Sequence, residues 1–440
     1  MVLRRYGTFA GGIELLDEKH RTLGGPIEPY PIDGLLRVPL APCGWGAARP
    51  LVEPGRQVRA GERIAEAPDA SGIDVFAPVA GEVTAITTAE VAAEDGFVRC
   101  PAVQIAPAEW VFDIPELSEA FDWRSADGES LRRRVASGGL TTCRRPIEPL
   151  ALWLQRARSK LCRILVANVM ENQPCVTADH RLLADRGPEV VGGLAILARA
   201  MEARQVVLAV DWRRTGDYQR IVGLARDCQI SLVALPHKYP TGADPILVKV
   251  LTRRARPPGG SVTDVGVAVT DAATCQAVWR WVACGSPQVG RAVTVAGRWA
   301  PRQCNFWVPF GMPCLDLVKG ATEPAIHNGP MTGIRCPEGA VVTPATDAVL
   351  AVSGLAAAAP TPCIRCAWCT DHCPARLNVA ALNDAFELAN VDEAHKLVAL
   401  ACVECGVCTY VCPARLPLAQ RVKQLKRAIG SMDRAMPSYR

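Results

Sequence analysis

Residues 363–374 read CIRCAWCTDHCP and residues 402–413 read CVECGVCTYVCP, one spacing of four cysteines and a proline written twice. Three thiolates at three-residue intervals wrap a compact turn around one face of an iron–sulfur cube. The fourth cysteine, held off by a longer spacer and followed by proline, points elsewhere; in two-cluster ferredoxins it ligates the other cluster. The pattern therefore assigns Cys363, Cys366, Cys369 and Cys412 to one [4Fe-4S] cluster, and Cys402, Cys405, Cys408 and Cys373 to a second. Structural zinc is the bland alternative, but it draws on CxxC pairs and four ligands, which leaves the third cysteine of each run surplus. Between the runs, Leu377 to Leu400 holds no Pro or Gly, Asn378 can cap it, and Leu382, Phe386, Leu388 and Leu397 supply apolar positions. That stretch reads as helical, which marks a helical ferredoxin module rather than a compact β-rich one.

The other eleven of the nineteen cysteines are scattered singly, with no CxxC pairing, and read mostly as small buried hydrophobes. An odd cysteine count in a chain of 440 residues fits metal-bound thiolates in a reducing compartment better than a secreted disulfide framework. With 49% hydrophobic and 21% charged residues, whole-chain disorder is excluded. A net charge of +5 gives no argument for nucleic acid. The start, MVLRRYGTFAGGIELLDEKH, never develops the apolar stretch of a signal peptide. The apolar stretch Ala348 to Ala359, interrupted by Gly354, falls short of the roughly 20 residues of a spanning helix, so any membrane association is expected to be peripheral. From Ala414 onward seven Lys or Arg, Arg440 the last, face one acid, Asp433. A solvated helix face is expected there, with a docking tail for an acidic partner or anionic lipid as the alternative. The six histidines form no HxxxH or HExxH pattern and imply no further metal, and His372 reads as an exposed loop residue beside Cys373.

Upstream, residues 50–83 place turns at Pro54-Gly55 and Ala60-Gly61, a strand from Val75 to Pro78 and a tight turn at Ala80-Gly81. Short strands at this spacing suggest a small β-sandwich of the lipoyl hammerhead type. Carriers of that shape show a lysine at the hairpin tip, where this chain has Pro78-Val79-Ala80-Gly81, so a structural module is expected. From Leu161 the pattern alternates: strand Cys162–Asn168, helix Pro188–Ala203, strand Gln205–Asp211, helix Asp217–Asp227 and strand Gln229–Leu235. This is a parallel sheet whose ligand site belongs at its carboxyl edge. Neither Gly138-Gly139 nor Gly192-Gly193 makes a phosphate-loop fingerprint, so packing is as good a reading as phosphate binding. Arg291 to Val318 shows two strand-like runs and a short helix, a β-grasp-like module with Trp299, Phe306, Trp307 and Phe310 as its expected core.

Taken in order, these modules resemble the C subunit of the Rnf electron transport complex over essentially the whole chain. The resemblance is carried by Thr8-Phe9-Ala10-Gly11-Gly12-Ile13, Ala77 to Val83, Pro174 to Leu182, Lys238-Tyr239-Pro240-Thr241-Gly242, Asp264 to Val267, Asn305 to Gly311, Gly329-Pro330-Met331-Thr332-Gly333 and both cysteine runs. It implies a multidomain α+β and α/β architecture. Residues 1–115 would form a barrel-sandwich hybrid and 125–288 a Rossmann-like nucleotide-type domain of the complex I 51-kDa kind. Residues 289–352 would form an SLBB-like β-grasp, and 355–440 a helical dicluster ferredoxin with a basic tail.

The resemblance also implies a peripheral subunit on the cytoplasmic face of the cell membrane. Such a subunit takes electrons from NADH through FMN and feeds membrane subunits and a ferredoxin-like partner. A flavin suits that place because it converts hydride transfer to single-electron steps. Gly138, Gly139, Glu171 and Lys238 stand at the family's flavin and nucleotide positions. The chain departs from the family there. The family's G-G-A-x-F-P-T reads Gly138-Gly139-Leu140-Thr141-Thr142-Cys143-Arg144, and its E-C-E-P-Y reads Glu171-Asn172-Gln173-Pro174-Cys175. The Gly-Gly-Glu that follows Tyr-Pro-Ser reads Gly242-Ala243-Asp244. Two functions follow: an NADH-oxidising flavoprotein subunit, or an electron-transfer or scaffold subunit that has lost the flavin site and is fed by a partner protein.

Overall fold

A computed structural model describes residues 4–5, 7–69, 72–94, 96–109, 121–144, 147–352 and 359–435. The boundaries expected at 115 and 355, and Arg440, lie outside them.

The N-terminal module is built on a long hairpin, Ala80–Ala93 against Gly96–Glu109. Leu36–Pro39 flanks it on one side and Gln57–Val58 on the other. A second, three-stranded sheet of Arg49–Pro50, Arg63–Glu66 and Val75–Phe76 closes the sandwich. Ala80-Gly81, expected as a tight turn, instead begins the hairpin's first strand, in register with Glu109 and Pro107. A side chain at 81 would meet the Ala106 carbonyl carried by the partner strand, so glycine here serves strand pairing.

The sheet that follows in space has the order Ile334–Arg335, Ala325–His327, Ala348–Ala351, Gly290–Ala296, Cys304–Pro309, Glu28–Pro29. Its apolar face and the sandwich share one core: Leu36, Ile64, Val83 and Ile105 pack in the same cluster as Val293, Phe306 and Val308. Phe306 and Phe310 are buried as expected. Trp299 is not core: it is 40% exposed, in the turn between Gly290–Ala296 and Cys304–Pro309.

The α/β domain has five parallel strands in the order Arg4–Arg5, Ser231–Leu235, Gln205–Asp211, Ile164–Val169, Val267–Thr270. The expected βαβαβ run is present, and Val267–Thr270 joins Ile164–Val169 on the other side. Asp217–Asp227, expected as one helix, is a 3-10 segment, Trp212–Ile221, leading into a short α-helix, Val222–Asp227. Gly193 sits inside the helix Gly187–Met201 because a Cβ there would strike the Cys275 carbonyl of the neighbouring helix Ala272–Cys284. Its role is close helix packing. The chain leaves Ile164–Val169 in one direction and returns to Val267–Thr270 in the other, so the crevice of this sheet opens between the carboxyl ends of those two strands.

The C-terminal module is helical. Leu377 to Leu400 is not one helix: Val379–Glu387 and Val391–Lys396 are separated at Ala389, which is left-handed (φ 51), and Val398 (φ 58) ends the second. These breaks fold the linker back onto the long helix Leu418–Ala435, burying Leu382, Ala394, Val422 and Leu425 in one core. The same helix corrects the expectation of a solvated basic face for three of its cations, while Arg427 and the preceding Arg415 are exposed. Arg421 pairs with Glu387, while Lys423 and Lys426 both reach Glu404.

Candidate iron–sulfur centres and the crevice of the parallel sheet

The two cysteine runs share their backbone as well as their spacing. Arg365 and Glu404 are left-handed at φ 58 and 57, Ala367 and Gly406 at 62 and 79, and Arg376 and Arg415 at 60 and 56. Thr370 and Thr409 each accept the amide that opens the following helix, from Ala380 and Ala419. A left-handed non-glycine residue is costly, so three pairs at matching positions mark a loop shape that the rest of the module imposes.

The fourth cysteines cross. Cys373 lines one cavity with Cys402, Cys405 and Cys408, together with Leu377, Val379 and Val422. Cys373 also lies within electrostatic reach of those three sulfurs, while Cys412 acts on Cys369 beside Cys366. Burial pushes the Cys405 thiol up to about 12 and raises Cys402 and Cys408 as well. Four sulfurs held in an apolar cavity gain their thiolate form when a metal centre takes the protons' place. Backbone amides already point at two of them: Leu377 N donates to Cys373 Sγ and Glu404 N to Cys402 Sγ, each at 3.4 Å. Among the described residues, no three His, Cys, Asp or Glu side chains converge tightly enough for a single ion. A donor set of four cysteines with amides aimed at sulfur, spread around a cavity, fits a multi-atom cluster.

Segments distant in sequence meet at the second run. Tyr239 Oη donates to the Cys405 carbonyl at 2.6 Å and accepts from Gln173 Nε2 at 3.2 Å. Gln173 also donates to Thr332 and accepts from the Met331 amide. The Cys402 carbonyl accepts from Arg256 and Lys426, and at the end of the first run Gly12 N donates to the His372 carbonyl at 2.8 Å. His372 itself is turned back to the Trp368 carbonyl.

The four residues placed at the flavin position have separate employments. Gly138 lies under the Trp281 indole, where a Cβ would sit 2.5 Å from the ring. Gly139 (φ 59) passes the Asp74 carbonyl at a distance a Cβ would cut to 2.3 Å. Glu171 accepts the amides of Asp179 (2.8 Å) and His180 (2.9 Å), capping the helix Ala178–Asp185, and its carbonyl accepts from Lys19. Lys238 donates to the Phe9 carbonyl at 2.8 Å and lies over the Phe9 ring.

The crevice itself contains protein. At the end of Ile164–Val169, Asn168 and Arg144 converge on the Gly242 carbonyl and on Asp244, with Arg144 at 2.8 Å from the carboxylate. Arg291 reaches the Cys143 carbonyl and pairs with Asp347 at 2.7 Å. Burial raises Asp179, and neighbouring Asp271 and Glu171 add to it. Asp179 Oδ1 is buried without a hydrogen-bond partner. A phosphate dianion does not fit among three buried acids whose nearby cations are already committed, and the two glycines face an indole and the Asp74 backbone carbonyl. Arg144, Arg256, Gln173 and Tyr239 were not singled out as site residues in the sequence. Arg144 and Gln173 carry a legible signal, since both stand where the resembling family has another residue.

Three segments match known families: residues 7–109 the RnfC barrel sandwich hybrid domain, 149–280 the Nuo51 FMN-binding domain, and 362–417 a 4Fe-4S dicluster domain. The chain is 31% identical over 406 residues to the C subunit of the ion-translocating oxidoreductase complex of Rhodobacter capsulatus, covering 88% of this chain and 76% of that one. It is 29% identical over 382 residues to the protein of the same name from Salmonella arizonae, of which it spans 56%. Among solved structures, an NAD+-reducing [NiFe]-hydrogenase in the H2-reduced state aligns with 75% of this chain and 64% of its own, at a TM-score of 0.47 and 18% identity.

Proposed function

The chain belongs to the RnfC family, the C subunits of ion-translocating oxidoreductase complexes, and from that membership we propose that it is an iron–sulfur electron-transfer subunit of a membrane-associated, Rnf-type complex. Cys363, Cys366, Cys369 and Cys412 would hold one [4Fe-4S] cluster, and Cys402, Cys405, Cys408 and Cys373 the other. When bound, such clusters accept and release single electrons. The chain's own residues direct amides at Cys373 and Cys402 and line the second set with Leu377, Val379 and Val422. The observation that carries the proposal is the crossing: Cys373 of the first run shares a cavity with the three leading cysteines of the second. Partners on this reading are membrane subunits of the complex and a ferredoxin-like carrier, with NADH as the family's donor, at the cytoplasmic face. Among the described residues no helix is long and apolar enough to cross a membrane. The sheet module of residues 289–352 is read as β-grasp-like within the four-part division set out from the sequence.

The FMN-binding-domain match supports FMN as the family's cofactor for residues 149–280. A specific observation favours the second reading for this chain: the glycine doublet is closed by Trp281 and Asp74, and Arg144 is bound into the crevice. On that reading the domain is a scaffold and electrons come from a partner protein. Anaerobic purification with reconstituted clusters separates the two. About eight iron atoms per chain would support the cluster assignment, and a metal-free chain would sink it. Stoichiometric FMN with NADH-driven bleaching of cluster absorbance favours the flavoprotein reading; neither flavin nor bleaching favours the partner-fed one.

A further inference from the structure

Arg256 follows the helix Asp244–Thr252 of the α/β domain, yet its guanidinium serves the ferredoxin module. Nη1 donates to the Gly260 carbonyl at 2.9 Å, closing the loop on itself, and Nη2 donates to the Cys402 carbonyl at 3.1 Å. Gly259 N seats the same loop on the Leu400 carbonyl. From the helix Leu418–Ala435, Lys426 Nζ donates to that same Cys402 carbonyl at 3.2 Å. Lys426 shares Glu404 with Lys423, so two lysines divide one carboxylate, while both hydrogen bonds of Arg256 go to neutral carbonyls. Arg256 and Lys426 therefore meet at one carbonyl of the second cysteine set, with Glu404 paired to Lys426 and within electrostatic reach of Arg256. In the first run Arg365, between Cys363 and Cys366, is exposed and paired with Asp384.

The contrast has an electrostatic consequence. Adding an electron to a thiolate-ligated cluster adds negative charge, which is unfavourable in the apolar cavity around Cys402, Cys405 and Cys408. A cation whose hydrogen bonds go to neutral carbonyls, within electrostatic reach of the Cys402 sulfur and of Glu404, offsets that cost, and its field is little screened when partly buried. We propose that Arg256, assisted by Lys426, is a positioning residue that sets the reduction potential of the second cluster, raising it above the value burial alone would give. Through Arg256 the α/β domain would act on that cluster's redox poise without touching iron. The inference rests on the assignment of Cys373, Cys402, Cys405 and Cys408 as ligands.

EPR-monitored redox titration of the reconstituted full chain tests it. Two cluster signals in the unaltered protein establish the ligand assignment independently, and C366S, which disables the first cluster, identifies the second. Arg256→Gln is expected to lower the second cluster's reduction equilibrium about tenfold, about 59 mV for one electron, and to leave the first unmoved. Arg256→Lys should restore most of the shift, because it keeps the charge. Lys426→Gln should lower the same potential and provides a second measurement if Arg256→Gln loses iron. Equal shifts in both clusters, or no shift in either, would overturn the proposal.

Discussion

The two cysteine runs are the same object in two settings. Ligand spacing, left-handed positions and threonine caps repeat from one to the other. Their surroundings do not. From Thr361 to Trp368 every residue but Cys363 is exposed, with Ile364 at 64% and Trp368 at 53%. From Leu400 to Val407 none is exposed, because Arg256, Tyr239, Met331 and Lys426 close over that stretch. Local sequence builds a cluster loop, and tertiary embedding decides whether it faces inward to the chain or outward to something else. One module can in this way present an inner and an outer redox centre.

Gly406 and Ala367 occupy equivalent positions and provide the largest test of the difference. At Gly406 the backbone is left-handed and a Cβ would lie 2.4 Å from the Met331 carbonyl. Gly406→Ala should destabilise the protein by about 2 kcal/mol or more, from conformational strain plus the clash, and loosen the second run. Ala367→Gly in the exposed run should be neutral or slightly stabilising. Thermal unfolding of both variants checks this, and equal effects would remove the asymmetry. Tyr239→Phe comes next. Losing its hydrogen bond to Cys405 should cost about 1 kcal/mol and leave the Cys405 carbonyl unsatisfied, with no effect on the first run. Hydrogen exchange of the two loops is the readout.

A smaller effect belongs to the α/β domain, away from both runs. Burial, followed by nearby Arg214 and Arg181, lowers His180 to about 3, so the folded state holds it neutral beside Tyr218. An unfolded histidine takes up its proton near pH 6.5. Folding stability from this group is therefore present above about pH 6.5 and falls as pH drops from there toward 3. His180→Gln should flatten the dependence of the melting temperature on pH over that window. An unchanged slope would assign the loss to other groups.

The dicluster module was legible because its cysteine runs are a local repeat, and the parallel sheet was legible because strand and helix periods alternate within about thirty residues. What encloses the second run was not. Tyr239 lies 166 residues from Cys405 and Arg256 lies 146 from Cys402, and nothing in either residue's neighbourhood announces such a contact. Lys423 and Lys426 read as solvent-facing charge, yet Glu404 stands between them. The absence of Pro and Gly suggested one linker helix, whereas Ala389 and Val398 break it in left-handed conformations whose cost is offset by core burial. Gly138 and Gly139 made no phosphate-loop fingerprint and left packing open, but the neighbours that fix that packing, Trp281 and Asp74, are 143 and 65 positions away in the chain.

Crossed ligation is the central claim, and Cys373→Ser measures it most directly. Cys373 belongs to the exposed run by sequence and to the enclosed set by position. Iron content and EPR of the reconstituted variant should show the second cluster lost or altered and the Cys363, Cys366, Cys369 and Cys412 cluster retained. Loss of the first cluster with the second intact would show that each run ligates its own iron, and would contradict the account.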